Sequence, residues 1–325
     1  MRKYQTEFGL NVYTNYKTII PPSHLELIDN DERKYHIYGI LLTPKFFCAP
    51  ESITYYADHF EIRLFSNSFG ENQEYTVPIQ IHKTLDHKKI KIQSSYPCSV
   101  LKINIEDDAW LSSNKFEKEF EINVGELFDL VANSFVEKLK YKVLYIGQAY
   151  GKRGERSATE RLSSHETLQK ILIDSQRNYP EYEIKIMLLD MGFRLGIGIA
   201  NKETPVHESN DTDNKHIESI FKNLPIEQQV INITEAAMIN YFKPSYNTTF
   251  VENFPSDKHK SYRQYYELDY NELVVEIDME FDNFPFVELF SDTARIKSVW
   301  DFIHYKLDNN AGRESMYSIF CNVEQ

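Results

Sequence analysis

Apolar and polar residues alternate in short runs through the first third of the chain, and this period of two predicts β-strands. Asn, Gly, Pro and Asp separate the runs and favour turns between them. The predicted strands are Tyr35–Leu42, Ser52–Tyr56, His59–Phe65, Tyr75–His82, Lys89–Gln93 and Val100–Ile105. We interpret them as a small antiparallel sandwich or curved sheet in a β-rich N-terminal domain, residues 1–115, with a role in target recognition, partner docking or regulation.

The middle of the chain contains both helical and strand patterns. Gly125–Leu139 has apolar residues at helical spacing and predicts an amphipathic helix. Lys142–Ala149 is rich in β-formers and predicts a strand, in which Gly147 indicates close approach of another backbone or a ligand. Further along, Glu183–Met191 and Phe193–Ala200 predict two strands of a hairpin joined at a glycine.

A capping box marks the start of another predicted helix. Ser157 is followed three residues later by Glu160, and an apolar stripe continues to about Gln176. Arg161 and His165 are four residues apart, so they would share one face of this helix. That face begins at the helix N-terminus, where backbone N–H groups and the helix dipole favour an anion.

A later helix is predicted to begin near Thr234 and to end near Lys243. Its end is set by Pro244, because a proline disfavours helical backbone in the residue before it. Glu235 would then lie in the first turn, and Asn247 would follow the turn made by the proline.

The C-terminal part, residues 256–325, has a mixed pattern. Tyr265–Met279 predicts a strand, and Val299–Leu307 predicts a short helix. We interpret the aromatic run Tyr262–Tyr270 as packing residues, with base stacking as the alternative. This segment is expected to pack as an extension on the other parts of the chain.

Composition indicates an ordinary globular protein, with 42% hydrophobic and 26% charged residues. No apolar run approaches 18 residues and the first residues lack an apolar signal core, so no membrane association is expected. Cys48, Cys98 and Cys321 are scattered, which argues against a zinc knuckle or a disulfide framework. A reducing cytoplasm is the simplest location.

Charge is distributed unevenly. The net charge of -13 argues against a protein that binds nucleic acid over its whole surface. Lys138–Arg161, however, holds seven cations and two anions, or +5, so the rest of the chain carries -18. The segment would form a local basic surface that lets phosphate approach in one place, or simply a solvated loop.

Four short motifs, taken in order, resemble the GIY-YIG nuclease family. They are YIGQ at Tyr145–Gln148, RLSSH at Arg161–His165, a glutamate at Glu235, and KPSYN at Lys243–Asn247. The Arg-x-x-x-His spacing and the twelve-residue step from the glutamate to the asparagine are most similar to the restriction-enzyme branch. The resemblance covers residues 140–250, about a third of the chain, and the ordered set is more specific than YIG alone.

The family is named for a first strand, GIY, that lies shortly before YIG. This sequence has no such tripeptide shortly before Tyr145. We expect the partner strand to come from Phe116–Val124 or Val100–Ile105, and the family's first tyrosine has no assigned counterpart. This departure keeps open a degenerate domain that binds nucleic acid or protein without cutting.

The resemblance implies an α+β fold with a GIY-YIG-like core, a small antiparallel sheet flanked by helices, in residues 116–255. It also implies a metal-dependent phosphodiesterase. Glu235 would hold Mg²⁺ or Mn²⁺, because Mg²⁺ keeps most of its waters and needs few protein carboxylates. The alternative for Glu235 is an ordinary carboxylate stabilised by the N-terminal end of its helix.

The other implied site residues have structural alternatives as well. Arg161 would bind phosphate oxygens, or pair with a neighbouring glutamate. His165 would orient or deprotonate the attacking water, or be a partly buried helix histidine. Tyr145 would be a general base or position the water, or be a buried strand tyrosine. Asn247 would fix the direction of Tyr145 or a neighbour, or cap the turn. Flanking phosphates would be bound by Lys152, Arg153 and Arg156.

These observations lead us to expect an Mg²⁺-dependent endonuclease acting on DNA, with RNA as a further substrate that stays open. The resemblance to the restriction-enzyme branch suggests a restriction-like role or defence against invading DNA. A symmetric homodimer would explain double-strand cutting, although no residue in the sequence points to one. The alternatives are a non-catalytic binding domain and an acidic protein that acts only through protein partners.

Overall fold

A seven-stranded sheet organises the chain. In this computed structural model, the described residues are 1–28, 33–149, 161–162, 165–201, 204–307 and 312–318. In chain order the strands are β1 Thr6–Ile20, β2 Ile37–Pro44, β3 Phe47–Cys48, β4 Thr54–Tyr55, β5 His59–Ser68, β6 Glu71–Gln80, β7 Ile90–Gln93, β8 Val100–Ile105, β9 Glu119–Asn123, β10 Lys138–Gln148, β11 Tyr182–Ile199, β12 Glu272–Asp278, β13 Phe286–Phe290 and β14 Trp300–Lys306.

The helices lie between and around these strands, so the fold is a mixed α+β arrangement. They are α1 Leu25–Ile28, α2 Asp108–Asn114, α3 Val124–Val131, α4 Glu166–Asn178, α5 Asn210–Lys222, α6 Glu227–Phe242 and α7 Gln264–Glu267. Within the described parts of the chain, no helix is long and apolar enough to cross a membrane.

The large sheet has the order β13-β10-β2-β11-β1-β12-β14. Its pairs are antiparallel except β1 with β12 and β10 with β13, which are parallel. The predicted N-terminal domain contributes β1 and β2, the predicted nuclease domain contributes β10 and β11, and the predicted extension contributes the last three strands. All three predicted segments therefore share one sheet.

Two small sheets lie between β2 and β10 in the sequence. One contains β3, β4, β5 and β6, and the other contains β7, β8 and β9. The alternating patterns of the first third of the chain therefore predicted real strands. The first of them, Tyr35–Leu42, belongs instead to the large sheet, where β2 is buried along its whole length.

The prediction of which strand pairs with the YIG strand was wrong. β2 pairs with β10 in antiparallel register, with Leu41 opposite Val143 and Tyr38 opposite Gly147. The two segments that we expected, Phe116–Val124 and Val100–Ile105, pair mainly with each other as β9 and β8. The sequence separation explains the error, because more than 90 residues lie between the two paired strands.

Three further predictions need correction. The predicted hairpin of Glu183–Met191 and Phe193–Ala200 is one continuous strand, β11, which pairs with β1 from Ile186 to Ile199. Val299–Leu307 contains a strand, β14, because a short apolar run fits either period. A helix was predicted over Gly125–Leu139, but α3 ends at Val131 and Leu139 lies in β10.

Side chains on the two faces of the large sheet pack into separate clusters. Along β11, Met187 and Leu189 join the larger cluster, which includes residues of α6 and of the small sheets. Ile186 and Leu188 join the smaller cluster, which is covered by Leu168 and other residues of α4. The smaller-cluster face carries the tyrosine of the YIG motif.

Candidate functional site

A β-bulge turns Tyr145 towards the face that carries Tyr38. Val143 lies opposite Leu41 and Tyr145 lies opposite Ile40, so Leu144 is an extra residue in β10. With strict alternation Tyr145 would follow Val143 onto the opposite face. Instead the rings of Tyr38 and Tyr145 lie on one face, with centroids 6.1 Å apart.

Gly147 makes room for the ring of Tyr38. A Cβ at Gly147 would lie 2.6 Å from the Cζ and hydroxyl oxygen of Tyr38, closer than side chains can approach. A close approach was predicted at this glycine, but the predicted partner, a backbone or a ligand, was wrong: the approaching group is a phenol from the opposite strand. Sequence reasoning missed Tyr38, although the glycine opposite it was a signal.

His165 holds the hydroxyl of Tyr38. Its backbone is extended and its side chain caps α4, because Nδ1 accepts the backbone N–H of Leu168 at 3.2 Å. A neutral ring that accepts at Nδ1 carries its proton on Nε2. Nε2 lies 3.1 Å from the hydroxyl oxygen of Tyr38 and is therefore the donor in this contact.

The predicted helical face shared by Arg161 and His165 was wrong. Arg161 and Leu162 are helical, but His165 lies at the N-cap, before the first helical residue of α4. The predicted capping box, Ser157 with Glu160, lies outside the described residues. Burial lowers the pKa of the His165 imidazole, and the charge of Arg161 lowers it further, so the ring is neutral near pH 7.

Arg161 contacts the hydroxyl of Tyr38, and its buried Nε donor has no partner among the described residues. Burial raises the pKa of Tyr38 and the neighbouring Tyr145 raises it further, whereas the hydrogen bond and charge of Arg161 oppose this. The Nε atom of Arg161 is buried and finds no hydrogen-bond partner among the residues that the structure describes. A buried, unused N–H next to two phenols is suited to an anion.

Tyr145 receives a hydrogen bond from Tyr38. Burial raises the pKa of Tyr145, as does the charge of Glu235, whereas the hydrogen bond from Tyr38 lowers it. Tyr38 thus accepts from His165 and donates to Tyr145, which leaves the hydroxyl hydrogen of Tyr145 directed away from this pair. Both phenols keep their protons at neutral pH.

Glu235 lies in the middle of α6 instead of in its first turn. The helix begins at Glu227, two turns earlier, so stabilisation by the N-terminal helix dipole does not apply to Glu235. Burial raises the pKa of its carboxyl to about 7, while hydrogen bonds from the side chain and backbone of Gln148 and the charge of Arg161 oppose the rise. The carboxyl is therefore desolvated and near half-ionisation at neutral pH.

A metal ion at this cluster would have the carboxylate of Glu235 as its protein ligand. No cluster of three His, Cys, Asp or Glu side chains that could hold a metal occurs in the described residues. Mg²⁺ does not need such a cluster, because it keeps several waters and takes substrate phosphate oxygens. A desolvated carboxylate with a raised pKa gains most from a divalent cation, which favours its ionised form.

Asn247 fixes the strand next to Tyr145. Its Oδ1 accepts the backbone N–H of Ile146 at 2.9 Å, and its Nδ2 donates to the backbone carbonyl of Ile146 at 2.8 Å. This edge of β10 is available because β13 pairs only as far as Lys142. The predicted hydrogen bond to Tyr145 or a neighbour is confirmed for the neighbour, and the predicted turn is also present, with a bond to Pro244 of 3.1 Å.

The structure therefore brings five predicted site residues to one end of β10 and adds a sixth. The predicted residues are Tyr145, Arg161, His165, Glu235 and Asn247, and the added residue is Tyr38. Comparisons of the chain with protein-family models, with curated proteins and with solved structures found no match.

Three lysines of the predicted basic surface are neutralised by acidic partners. Lys138, Lys140 and Lys142 form ion pairs with Glu288, Glu71 and Asp292 at 2.6, 2.8 and 2.7 Å. The three cations predicted to bind flanking phosphates, Lys152, Arg153 and Arg156, lie outside the described residues. Arg161 is the cation of this segment that the structure places in the site.

Proposed function

We propose that the protein is a metal-dependent nuclease with a GIY-YIG-like core, which hydrolyses phosphodiester bonds in DNA. One observation carries the proposal: Tyr38 and Tyr145 face each other from adjacent antiparallel strands, within a cluster that contains a half-buried arginine and a desolvated glutamate. Tyr38 would be the counterpart of the family's first tyrosine, although it stands in an Ile-Tyr-Gly sequence.

Arg161 would bind the scissile phosphate. Its Nε is a buried donor without a partner in the described part of the chain, and its guanidinium already orients the hydroxyl of Tyr38. A planar guanidinium can bind two non-bridging oxygens and neutralise the charge that develops on them.

His165 would position Tyr38 and would not deprotonate water. Its Nδ1 is used by the helix cap and its Nε2 already carries a proton, so the neutral ring has no free acceptor for a water proton. The directed chain from His165 through Tyr38 fixes the hydroxyl of Tyr145, which is then the group available to orient the attacking water or a phosphate oxygen.

Glu235 would hold Mg²⁺ or Mn²⁺, and the bound ion would supply positive charge to the phosphate and to the attacking water. Gln148 would keep the carboxylate in place, because its side chain and backbone both hydrogen-bond to it. The two small sheets and the C-terminal strands would supply targeting.

The test is cleavage of DNA by wild type and by Glu235→Ala. Supercoiled plasmid and single-stranded DNA are incubated with Mg²⁺, Mn²⁺ or EDTA. We expect wild type to nick or cut with either metal, EDTA to abolish cutting, and Glu235→Ala to lose at least about 100-fold in rate. Salt-sensitive binding without cleavage in any metal would favour the non-catalytic alternative.

A further inference from the structure

An aromatic cleft continues from the candidate site along the same face of the sheet. It has a volume of about 320 Å³, and its lining includes Leu144, the bulge residue next to Tyr145 in sequence. Leu42 of β2, which lies opposite Lys142, also lines it. A chain bound with a phosphate at the tyrosine pair would therefore reach the cleft with an adjacent nucleotide.

Aromatic side chains form the walls of this cleft. Its lining includes Phe69, Tyr179, Tyr182 and Tyr246. Two of the hydroxyls are held: that of Tyr246 donates to Asp174 at 2.9 Å, and that of Tyr182 accepts the backbone N–H of Phe69 at 3.1 Å. Walls that are fixed before binding lose little conformational entropy when a flat ring enters.

The charges of the cleft favour a neutral ring over a phosphate. Lys142 is the one cation in the lining, and it is already paired with Asp292 at 2.7 Å. Asp292 and the hydroxyl of Ser245 supply acceptors at the rim, which suit the amino and imino hydrogens of a base. Aromatic walls with polar acceptors at one edge match a nucleobase, which has a π-face and donor groups on its rim.

We propose that this aromatic cleft binds one unpaired nucleobase next to the cleaved phosphodiester bond. The inference rests on the proposed nuclease function and names its substrate class, a nucleic acid with at least one base out of the helical stack. A base inside a paired duplex cannot enter a concave cleft without leaving the stack. Binding should therefore favour single strands and duplexes with an unpaired nucleotide over fully paired duplexes.

Binding is measured by fluorescence anisotropy in EDTA, so that nothing is cut. The probes are a fully paired duplex, the same duplex with one extra unpaired nucleotide, and that duplex with an abasic residue at the extra position. We expect wild type to bind the unpaired base about tenfold more tightly than the abasic residue, as one base stack predicts. Equal binding of the two would overturn the cleft proposal while leaving a nucleic-acid-binding protein.

Variants of the cleft test whether it causes the preference for an unpaired base. Tyr179 is 43% exposed at the end of α4, so Tyr179→Ala should fold and should lose most of the tenfold preference. Tyr179→Phe keeps the ring and should retain it, and Tyr96→Ala, at a tyrosine that is 95% exposed, should change nothing. An unchanged preference in Tyr179→Ala would overturn the proposal.

A 5-iodouracil at the unpaired position provides a second readout that needs no variant. We expect photocrosslinks to peptides that contain Tyr179, Tyr182 or Tyr246, and crosslinks confined to other peptides would place the base elsewhere. Failure of wild type to bind any of the three probes would overturn the proposed nuclease function together with the cleft.

Discussion

At the scale of single residues, local chemistry decides the state of each site group. His165 was predicted as a helix-face residue, but its ring caps α4, and that contact selects the tautomer that can donate to Tyr38. The sequence gives no rule for this, because Ser, Thr, Asp and Asn are the usual caps. Asn247 was predictable, because the turn after Pro244 limits where its amide can reach.

The raised pKa of Glu235 predicts that the stability of the protein falls as pH rises. Its folded pKa, about 7, lies above the ordinary value of 4.5, so ionisation costs folding free energy as pH rises from about 4.5 to 7. Glu235→Gln removes this cost. The variant should match wild type near pH 4.5 and be more stable by about 3 kcal/mol at pH 8. Thermal unfolding of both proteins across this range measures the difference.

The same thermal unfolding measurement can be repeated with Mg²⁺. The ion should raise the melting temperature of wild type at pH 8 and should leave Glu235→Gln nearly unchanged, because only the carboxylate binds it. A pH-independent difference between the two proteins would contradict the desolvation of the Glu235 carboxyl. An equal response to Mg²⁺ would contradict its role as the ligand.

At the scale of elements, tyrosine and glycine pair across strands in two places. Tyr38 lies opposite Gly147, and Tyr13 lies opposite Gly192, where a Cβ would come within 2.7 Å of the Tyr13 ring. Gly192 was predicted to turn the chain, but it makes room within a continuous strand. Glycine alone does not distinguish a turn from a position that must accommodate a neighbouring ring.

Gly147→Ala should therefore displace Tyr38. We expect a loss of about 1–3 kcal/mol in stability from overpacking and a loss of at least about tenfold in cleavage, since the Tyr38 hydroxyl moves away from His165 and Tyr145. Gly192→Ala is the matched control, with a similar close contact outside the site. It should lose similar stability, measured by urea unfolding, and keep cleavage. Equal cleavage by the two variants would contradict this account.

Helix boundaries were predictable only where the sequence marks them. The end of α6 at Phe242 follows from Pro244, and this prediction is confirmed. The start of α6 was missed, because its N-cap is Ile226 and no side chain caps the helix there. The error placed Glu235 in a first turn and concealed the desolvation of its carboxyl.

At the scale of the whole molecule, the site depends on strands that are distant in sequence. β2 lies between β10 and β11 in the sheet, although more than 90 residues separate its end from the start of β10. Most strands of the first third could be predicted from alternation, because that signal is local. Their division between three sheets could not, because pairing depends on contacts between remote segments.

A fragment of residues 116–255, the predicted nuclease domain, tests this dependence. It contains β10 and β11 but lacks β2, which pairs with both, and β1, which pairs with β11. We expect the fragment to lack cooperative thermal unfolding and dispersed amide signals in NMR spectra, whereas the full chain should show both. A cooperatively folded fragment would show that the central strand is dispensable.

The central claim is that Tyr38, contributed by a distant strand, completes the site with Tyr145. The most direct test is the rate of DNA cleavage by Tyr38→Phe, which removes the hydroxyl between His165 and Tyr145 and keeps the ring over Gly147. Tyr13→Phe is the matched control. We expect Tyr38→Phe to lose at least about 100-fold in rate while still unfolding cooperatively, with a loss of about 1–3 kcal/mol in stability because the buried donor of His165 loses its acceptor. Tyr13→Phe should cut like wild type. Cleavage by Tyr38→Phe at the wild-type rate would contradict the claim.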